Sequence, residues 1–482
     1  MACIFLALDF FSHISDALRG KLIEALAEKF QVLVITQYLD AAAARRLGYF
    51  QHPNVSYERL ELAYPHLWPT FNQLLRHSLV REYDDFVVTR RFYYRPTHPL
   101  RVRLLTAAGR MLPKRMSGTA PFTCLEQRIV RPSRAFRDLV RRHRPVLLVT
   151  ARPGLSPFEA EMILFAKNLG IPTLAANINY DNSYSVAKFY RNTDYICVWN
   201  DAMAEQTIRF QHYPPDRVFV TGCLRFDHYF TDQASGRLPE RGAFLALKRL
   251  DPSRKLIVYL GPSPIMYPPR QAFFESLVKL KQSGRLAGDP NILIRLHPHD
   301  RAEPYLGWER IPGLWVERAG EARLRDTETR GQKVEMGEAD ILNLTATLMH
   351  ADVILNFAST MIIEASIFDK PVINIAFPEA EARAYEFEFN TALAESGGVR
   401  MARSAEELAG LISQYLFDPG RDRDGRERLV RDYVRFTDGG SFRRVARVID
   451  ELIQPSGPIG HSKDARREIF HALSPETLRH GA

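Results

Sequence analysis

The sequence predicts an α/β protein made of two parallel-sheet domains. Three observations carry this expectation. Short, near-continuous apolar runs, suited to strands buried on both faces, alternate with helix-length segments from Pro145 onward. Several of those runs end in polar or Gly/Pro turns, as strands feeding crossover helices do. At 482 residues the chain is also longer than one ordinary hydrophobic core, so two domains are expected. The bounds read as 1–235 and 236–455, followed by a tail over 456–482, with the boundary between about Asp232 and Arg254.

Composition narrows the class. Hydrophobic residues make up 46% and charged residues 25%, the balance of a soluble globular protein. No stretch reaches the roughly 18 apolar residues of a membrane-spanning helix. The apolar run Met1 to Phe11 lacks a basic flank and contains Asp9, so it reads as a first strand and not as a signal peptide. Cys3, Cys124, Cys197 and Cys223 are far apart and include no C-x-x-C, which suggests neither a zinc motif nor a disulfide framework and fits a reducing cytoplasm.

In the first domain, Ala2 to Asp9 is strand-like, Ile14 to Phe30 helix-like, and Gln31 to Thr36 a second strand. Asp9, Ser12 and His13 then fall at the carboxyl end of the first strand, the edge where open α/β sheets bind ligands. Loop capping is the alternative for Asp9 and His13. Leu39 to about Arg144 shows no clear period. Glu82-Tyr83-Asp84-Asp85 and Asp422-Arg423-Asp424 follow no strong strand and read as surface charge, not as metal carboxylates. Val146 to Thr150, Thr173 to Ile178, Tyr195 to Trp199 and Arg217 to Thr221 are strands separated by helices, a β-α-β alternation that argues for a parallel sheet.

In the second domain, Phe244 to Leu250 is a helix. Lys255 to Leu260 is a strand ending in Gly261-Pro262-Ser263-Pro264, and Asn291 to Leu296 is a strand ending in His297-Pro298-His299-Asp300. After a helix over Asp340 to His350, Asp352 to Phe357 is a third strand, ending in Ala358-Ser359-Thr360. Thr360 to Phe368 suits a short helix with Ser359 as N-cap, stopped by Asp369-Lys370-Pro371, with Val372 to Phe377 the next strand. Free N–H groups at such a helix start would favour an anion. Arg295 and His297 alternate by two and so share one face of their strand. Arginine, histidine and a helix start at one sheet edge suit a diphosphate. Glu364, one turn beyond Thr360, would then reach a ribose diol. The alternative is that Ser359 only caps, Glu364 is a solvated carboxylate and His297 is a loop histidine.

The net charge of +9 is uneven. Arg90 to Arg144 holds fifteen Lys or Arg against Glu126 and Asp138, a net of +13 that leaves about −4 for the rest. Aromatic and apolar residues are interleaved there, as in RRFYYRPTHPLRVRLL. Such a patch suits anionic lipid headgroups, a lipid-diphosphate acceptor or nucleic acid, and the alternative is a solvated helical insert.

Several motifs resemble a known group. RLHPHD at Arg295 to Asp300 resembles the Arg-x-His-Pro element of CDP-glycerol glycerophosphotransferases and related surface-polysaccharide enzymes. ASTMIIEASIFDKPVI resembles their Ser-Ser/Thr turn, acidic helix and Lys-Pro element. VTGCLRFD at Val220 to Asp227 resembles the segment ending their first domain, and TDGGSFRRVARVI resembles their closing helix. The resemblance covers roughly residues 145 to 450 and depends more on motif order and spacing than on any single motif. It implies a GT-B fold of two Rossmann-like domains facing a cleft, with Gly261, Ser263, Arg295, His297, Ser359, Thr360 and Glu364 around a nucleotide-activated donor. In particular, His297, Ser359 and Thr360 would hold the donor phosphates and Glu364 the ribose. The E-x7-E pattern of many retaining GT-B enzymes is not evident.

In such a site helix dipole and cationic side chains offset leaving-group charge, so neither metal nor cofactor is expected. A general base on the first domain would deprotonate the acceptor hydroxyl, and Asp9, His13 and Glu159 are its candidates, with His297 the catalytic candidate on the donor side. The leading expectation is a cytoplasmic transferase, peripheral at the inner face of the cell membrane. It would move a sugar or polyol phosphate from a nucleotide donor to a surface glycan or lipid-linked acceptor. The alternatives are a sugar-nucleotide epimerase of the UDP-N-acetylglucosamine 2-epimerase type, and a nucleic-acid binder using the Arg-rich insert. Against the last, the sequence holds no helix-turn-helix, zinc-finger or RNP signature.

Overall fold

Among the described residues thirteen strands form the framework, and their burial explains where they sit. The runs CIFLA in β1 (Cys3–Ala7), LIVYL in β8 (Leu256–Leu260) and NILIRL in β9 (Asn291–Leu296) are buried along their whole length, as central parallel strands covered on both faces must be. The computed structural model describes residues 1–9, 16–17, 21–61, 86–87, 99–111, 120–154, 156–176, 179–185, 189, 192–262, 271–298, 300, 305, 307–318, 336–377 and 383–454.

By contact the chain divides into two units, one of Met1–Asp85, Thr89–Arg225 and Gly440–Ala482, the other of Phe86–Val88 and Phe226–Gly439. The first unit holds β1, β2 (Gln31–Thr36), β3 (Val55–Arg59), β4 (Pro145–Thr150), β5 (Thr173–Ala175), β6 (Tyr195–Val198) and β7 (Val218–Val220). They form one all-parallel sheet of order β3-β2-β1-β4-β5-β6-β7. The second unit holds β8, β9, β10 (Leu314–Arg318), β11 (Val353–Asn356), β12 (Val372–Ile375) and β13 (Val399–Ala402). Its sheet is also all parallel, of order β10-β9-β8-β11-β12-β13. Val146 and Leu256 therefore lie in separate sheets, as two domains require. Both orders reverse beside the first strand, between β1 and β4 and between β8 and β11. In doubly wound sheets such a switch point opens a crevice at the carboxyl ends of the strands, where ligands bind.

Three features depart from the sequence expectation. The division falls between Arg225 and Phe226, ahead of the polar stretch at 232–254. The helix Ser441–Ile453 belongs to the first unit, and Lys29 Nζ donates to Asp450 across 2.7 Å there. The strands β3, β10 and β13 have no counterpart in the sequence reading. All three are edge strands with partly exposed residues, so they lack the continuous apolar run that marks a central strand.

Candidate functional site

In the second unit, β9, β8 and β11 are neighbours, so the residues that follow them share one sheet edge. Gly261 extends the ladder, its N–H donating to the Arg295 carbonyl at 2.9 Å. A Cβ at Gly261 would lie 3.3 Å from both the Arg295 oxygen and the His297 nitrogen, so glycine permits the close approach of the two strand ends. His297 is half-buried beside it, its carbonyl accepting the Asp300 N–H at 2.8 Å.

Across the switch point, the turn after β11 is held by amides. Ser359 Oγ donates to Asn356 Oδ1 at 2.7 Å, and Asn356 Nδ2 donates to Asn374 Oδ1 at 3.0 Å on the adjoining strand. Asn356 and Asn374 are paired in register and fully buried. Ala358 takes a left-handed φ of 40°, which costs an L-residue about 1 kcal/mol or more. Tyr385 holds it there, accepting the Ala358 N–H at 3.1 Å while donating to the Ile375 carbonyl at 3.0 Å.

The helix beyond the turn is Met361–Ile367 and Thr360 is its N-cap, without a side-chain capping bond. Ser359 instead accepts the Met361 N–H on Oγ at 3.3 Å, so the cap assignment shifts by one residue. The Ile363 N–H is taken by the Thr360 carbonyl at 2.9 Å. The free N–H groups expected here are thus partly satisfied within the turn, and the Ser359 hydroxyl is engaged by Asn356 and Met361, which leaves the Thr360 hydroxyl as the distinctive group.

Glu364 lies on this helix and is buried. Tyr229, fully buried on the helix Asp227–Ala234, donates its hydroxyl to Glu364 Oε2. Phe368 packs edge-on against the Tyr229 ring at 5.4 Å, fixing its position. Sequence reading does not nominate Tyr229, because it lies 135 residues from its partner and follows the segment read as closing the first domain.

Arg295 takes a different position from the expected one. It is buried, and its guanidinium donates to Glu317 Oε1 on β10 and to the Asp340 carbonyl at 3.3 Å. Lys248 and Asn343 complete the cluster, with Asn343 Nδ2 donating to Glu317 Oε1 at 3.0 Å. Burial alone would push the Glu317 carboxyl up, but the Arg295 and Lys248 charges outweigh it and hold the group below its ordinary value. Arg295 is accounted for as one half of a buried ion pair.

In the first unit a second polar cluster sits at the β1/β4 switch point. Asp9, just beyond β1, is buried and accepts from Gln37 Nε2 at 2.7 Å. Burial raises its pKa, and the Ser156 hydroxyl, Arg152 and Gln37 offset only part of that rise. Glu159 lies on the helix Pro157–Asn168 and is also buried. It closes a capping box: Ser156 Oγ accepts the Glu159 N–H at 3.2 Å, and Glu159 Oε2 accepts the Ser156 N–H at 3.2 Å. Its Oε1 accepts the Arg152 N–H at 3.1 Å, and Arg152 Nε lies 3.2 Å from Oε2. Burial, reinforced by Asp9, raises the Glu159 pKa despite the Arg152 charge. With both oxygens committed, Glu159 is a helix-capping residue and not an available base. The Ser156-x-x-Glu159 spacing is a local signature of that role. Asp9 and Glu159 thus both carry a raised pKa. His13 and Ser263 lie outside the described residues, as do Glu82 to Asp85 and much of the basic insert. Among the described residues no group of three or more His, Cys, Asp or Glu is gathered as for a metal ion.

Two all-parallel sheets with this strand order define an α/β fold of two units, and comparison with solved structures matches it to the GT-B fold. UDP-GlcNAc 2-epimerase from Neisseria meningitidis, bound to UDP-GlcNAc, aligns at TM-score 0.53 and 10% identity, over 93% of this chain and 100% of that one. A Methanocaldococcus jannaschii UDP-GlcNAc 2-epimerase, in complex with UDP-GlcNAc and UDP, aligns at TM-score 0.52 and 12% identity, over 93% and 99%. A glycosyltransferase from Rickettsia africae is matched more loosely, at TM-score 0.48 and 12% identity, over 94% and 99%. No protein-family model matches the sequence, and no curated protein does.

Proposed function

We propose that the second unit binds the diphosphate of a nucleotide-activated sugar or polyol, and that the protein is an enzyme transferring the activated group to an acceptor hydroxyl. The observation that carries this reading is the switch point between β8 and β11. Gly261 there lets two strand ends approach closely, the Ser359-Thr360 turn follows the neighbouring strand β11, and Glu364 comes one helical turn on. His297 and the Thr360 hydroxyl are the donors for phosphate oxygens, whose charge grows as the bond to the transferred group breaks, and Ser359, whose proton goes to Asn356 Oδ1, holds the turn. Glu364, oriented by Tyr229, is the acceptor for ribose hydroxyls. Asp9 is the general base, since burial raises its proton affinity toward the range useful at neutral pH. Glu159 and Arg152 support it. The finer reading, a glycerophosphotransferase-like enzyme acting on a glycan or lipid-linked acceptor, rests on the sequence motifs alone.

A second reading, a UDP-N-acetylglucosamine 2-epimerase-like enzyme, is favoured by the fold likeness to epimerases bound to UDP-GlcNAc or UDP. One pair of experiments separates the two. Calorimetric titration with nucleoside diphosphates and nucleotide sugars should find at least one ligand, and binding of none would sink both readings. Incubation with the ligand that binds, followed by NMR of the sugar, then decides. Inversion at the sugar carbon without any acceptor identifies an epimerase, whereas release of nucleotide only when an acceptor is supplied identifies a transferase.

A further inference from the structure

The helix Leu100–Met111 in the first unit turns apolar side chains outward. Leu100, Leu104 and Met111 are 68%, 61% and 86% exposed, while Thr106 and Gly109 are buried. At 3.6 residues per turn, positions 100, 104 and 111 fall within about 40° of one another, and Thr106 and Gly109 lie on the opposite side. The helix therefore rests on the unit by Thr106 and Gly109, with Val102 and Leu105 half-buried beside them, and presents Leu100, Leu104 and Met111 to the outside. Burying Leu and Met would be favourable, so a large apolar stripe facing outward needs a separate reason.

Exposed Arg101, Arg103 and Arg110 border this stripe, with arginine on both sides of it. The sequence LRVRLLTAAGRM holds no acid, and the insert around it carries a net +13. An apolar stripe with cationic margins matches the interface of an anionic bilayer, where side chains enter the acyl boundary and guanidinium groups meet headgroups. A second copy of this chain is a poor occupant, because a two-fold contact through the stripe would set arginines against arginines. The helix is about 18 Å long, too short to cross a bilayer, and among the described residues no helix is long and apolar enough to cross one. We propose that the helix Leu100–Met111 is a membrane-surface anchor lying in the plane of an anionic leaflet. This inference is independent of the nucleotide site in the other unit.

The test uses the full chain and two kinds of vesicle, phosphatidylcholine alone and phosphatidylcholine with phosphatidylglycerol in equal parts. The parent should sediment with the anionic vesicles at low salt, be released at high salt, and stay in the supernatant when mixed with the neutral vesicles. Leu104→Asp combined with Met111→Asp should lower the partition coefficient roughly tenfold or more, with the melting temperature unchanged, because both side chains are exposed. Leu247→Asp, which alters a 76% exposed leucine in the other unit, should bind like the parent. Parent protein that stays in the supernatant with the anionic vesicles at low salt would overturn the proposal. So would a double variant that sediments as well as the parent, a Leu247→Asp variant that loses as much, or a parent dimer that the double variant splits. Tighter salt-sensitive capture by RNA than by the anionic vesicles would also overturn it.

Discussion

Replacing Arg295 with methionine tests whether the arginine belongs to the fold or to the ligand. The side chains of Arg295, Glu317 and Lys248 are only 5%, 13% and 8% exposed, so the carboxylate between two cations is screened little by water. Methionine fills similar volume but removes the guanidinium. Breaking a buried pair from one side costs about 3–5 kcal/mol, and Lys248 and Asn343 still hold Glu317, so about 3 kcal/mol is expected. For a unit of this size that is a fall of roughly 6–12 °C in melting temperature, at about 2–4 °C per kcal/mol. The pH dependence follows from the depressed Glu317 pKa. The unfolded chain binds the proton more readily, so the stabilisation is complete above the ordinary value of 4.5 and is lost as pH falls from there through the folded pKa. The gap between parent and variant in urea unfolding should therefore be wide at neutral pH and narrow on acidification. Nucleotide affinity of the folded variant should match that of the parent. Parent-like stability together with roughly tenfold weaker nucleotide binding, about 1.4 kcal/mol, would instead place Arg295 at the ligand.

Three further outcomes are expected. Glu159→Ala removes both the capping box and the Arg152 partner and should cost about 2–4 kcal/mol in denaturant unfolding; unchanged stability with turnover abolished would restore Glu159 as a base. Asp9 has a raised folded pKa, so its contribution is complete below the ordinary value of 3.8 and lost as pH rises through the folded pKa. Asp9→Asn should thus melt higher than the parent at neutral pH, with the difference closing on acidification, while turnover collapses; undiminished turnover would rule out Asp9 as the base. Tyr229→Phe removes the hydroxyl that orients the Glu364 carboxylate, so calorimetry should show roughly tenfold weaker nucleotide binding, from a lost charged hydrogen bond of about 1.5 kcal/mol. Adding Glu364→Gln to that variant should weaken binding by less than Glu364→Gln does alone, because the two side chains act as one unit.

The central strands and the polar ends of β8, β9 and β11 were legible in the sequence by itself. Strands buried on both faces are mostly apolar, so β1 and β8 read as uninterrupted runs and β9 and β11 as runs broken only by Asn291, Arg295 and Asn356, and whatever follows such a run lies at the sheet edge. The Ser156-x-x-Glu159 spacing is also local, since both partners lie within one helical turn, yet the sequence reading took Glu159 as a candidate base. Tertiary structure decided what spacing along the chain does not encode. Strands β3, β10 and β13 earn their place by pairing with a neighbour and not by their own apolar content. Arg295 sits on a strand face that the sequence allowed to point at a ligand, and only the approach of Glu317, 22 residues away, turned its charge inward. Tyr229 reaches Glu364 because the chain passes into the second unit at Phe226. Charge pairs form across whatever distance the packed chain closes. Which carboxylate is a counter-ion and which is left as a candidate base is therefore a property of the fold, not of the local sequence.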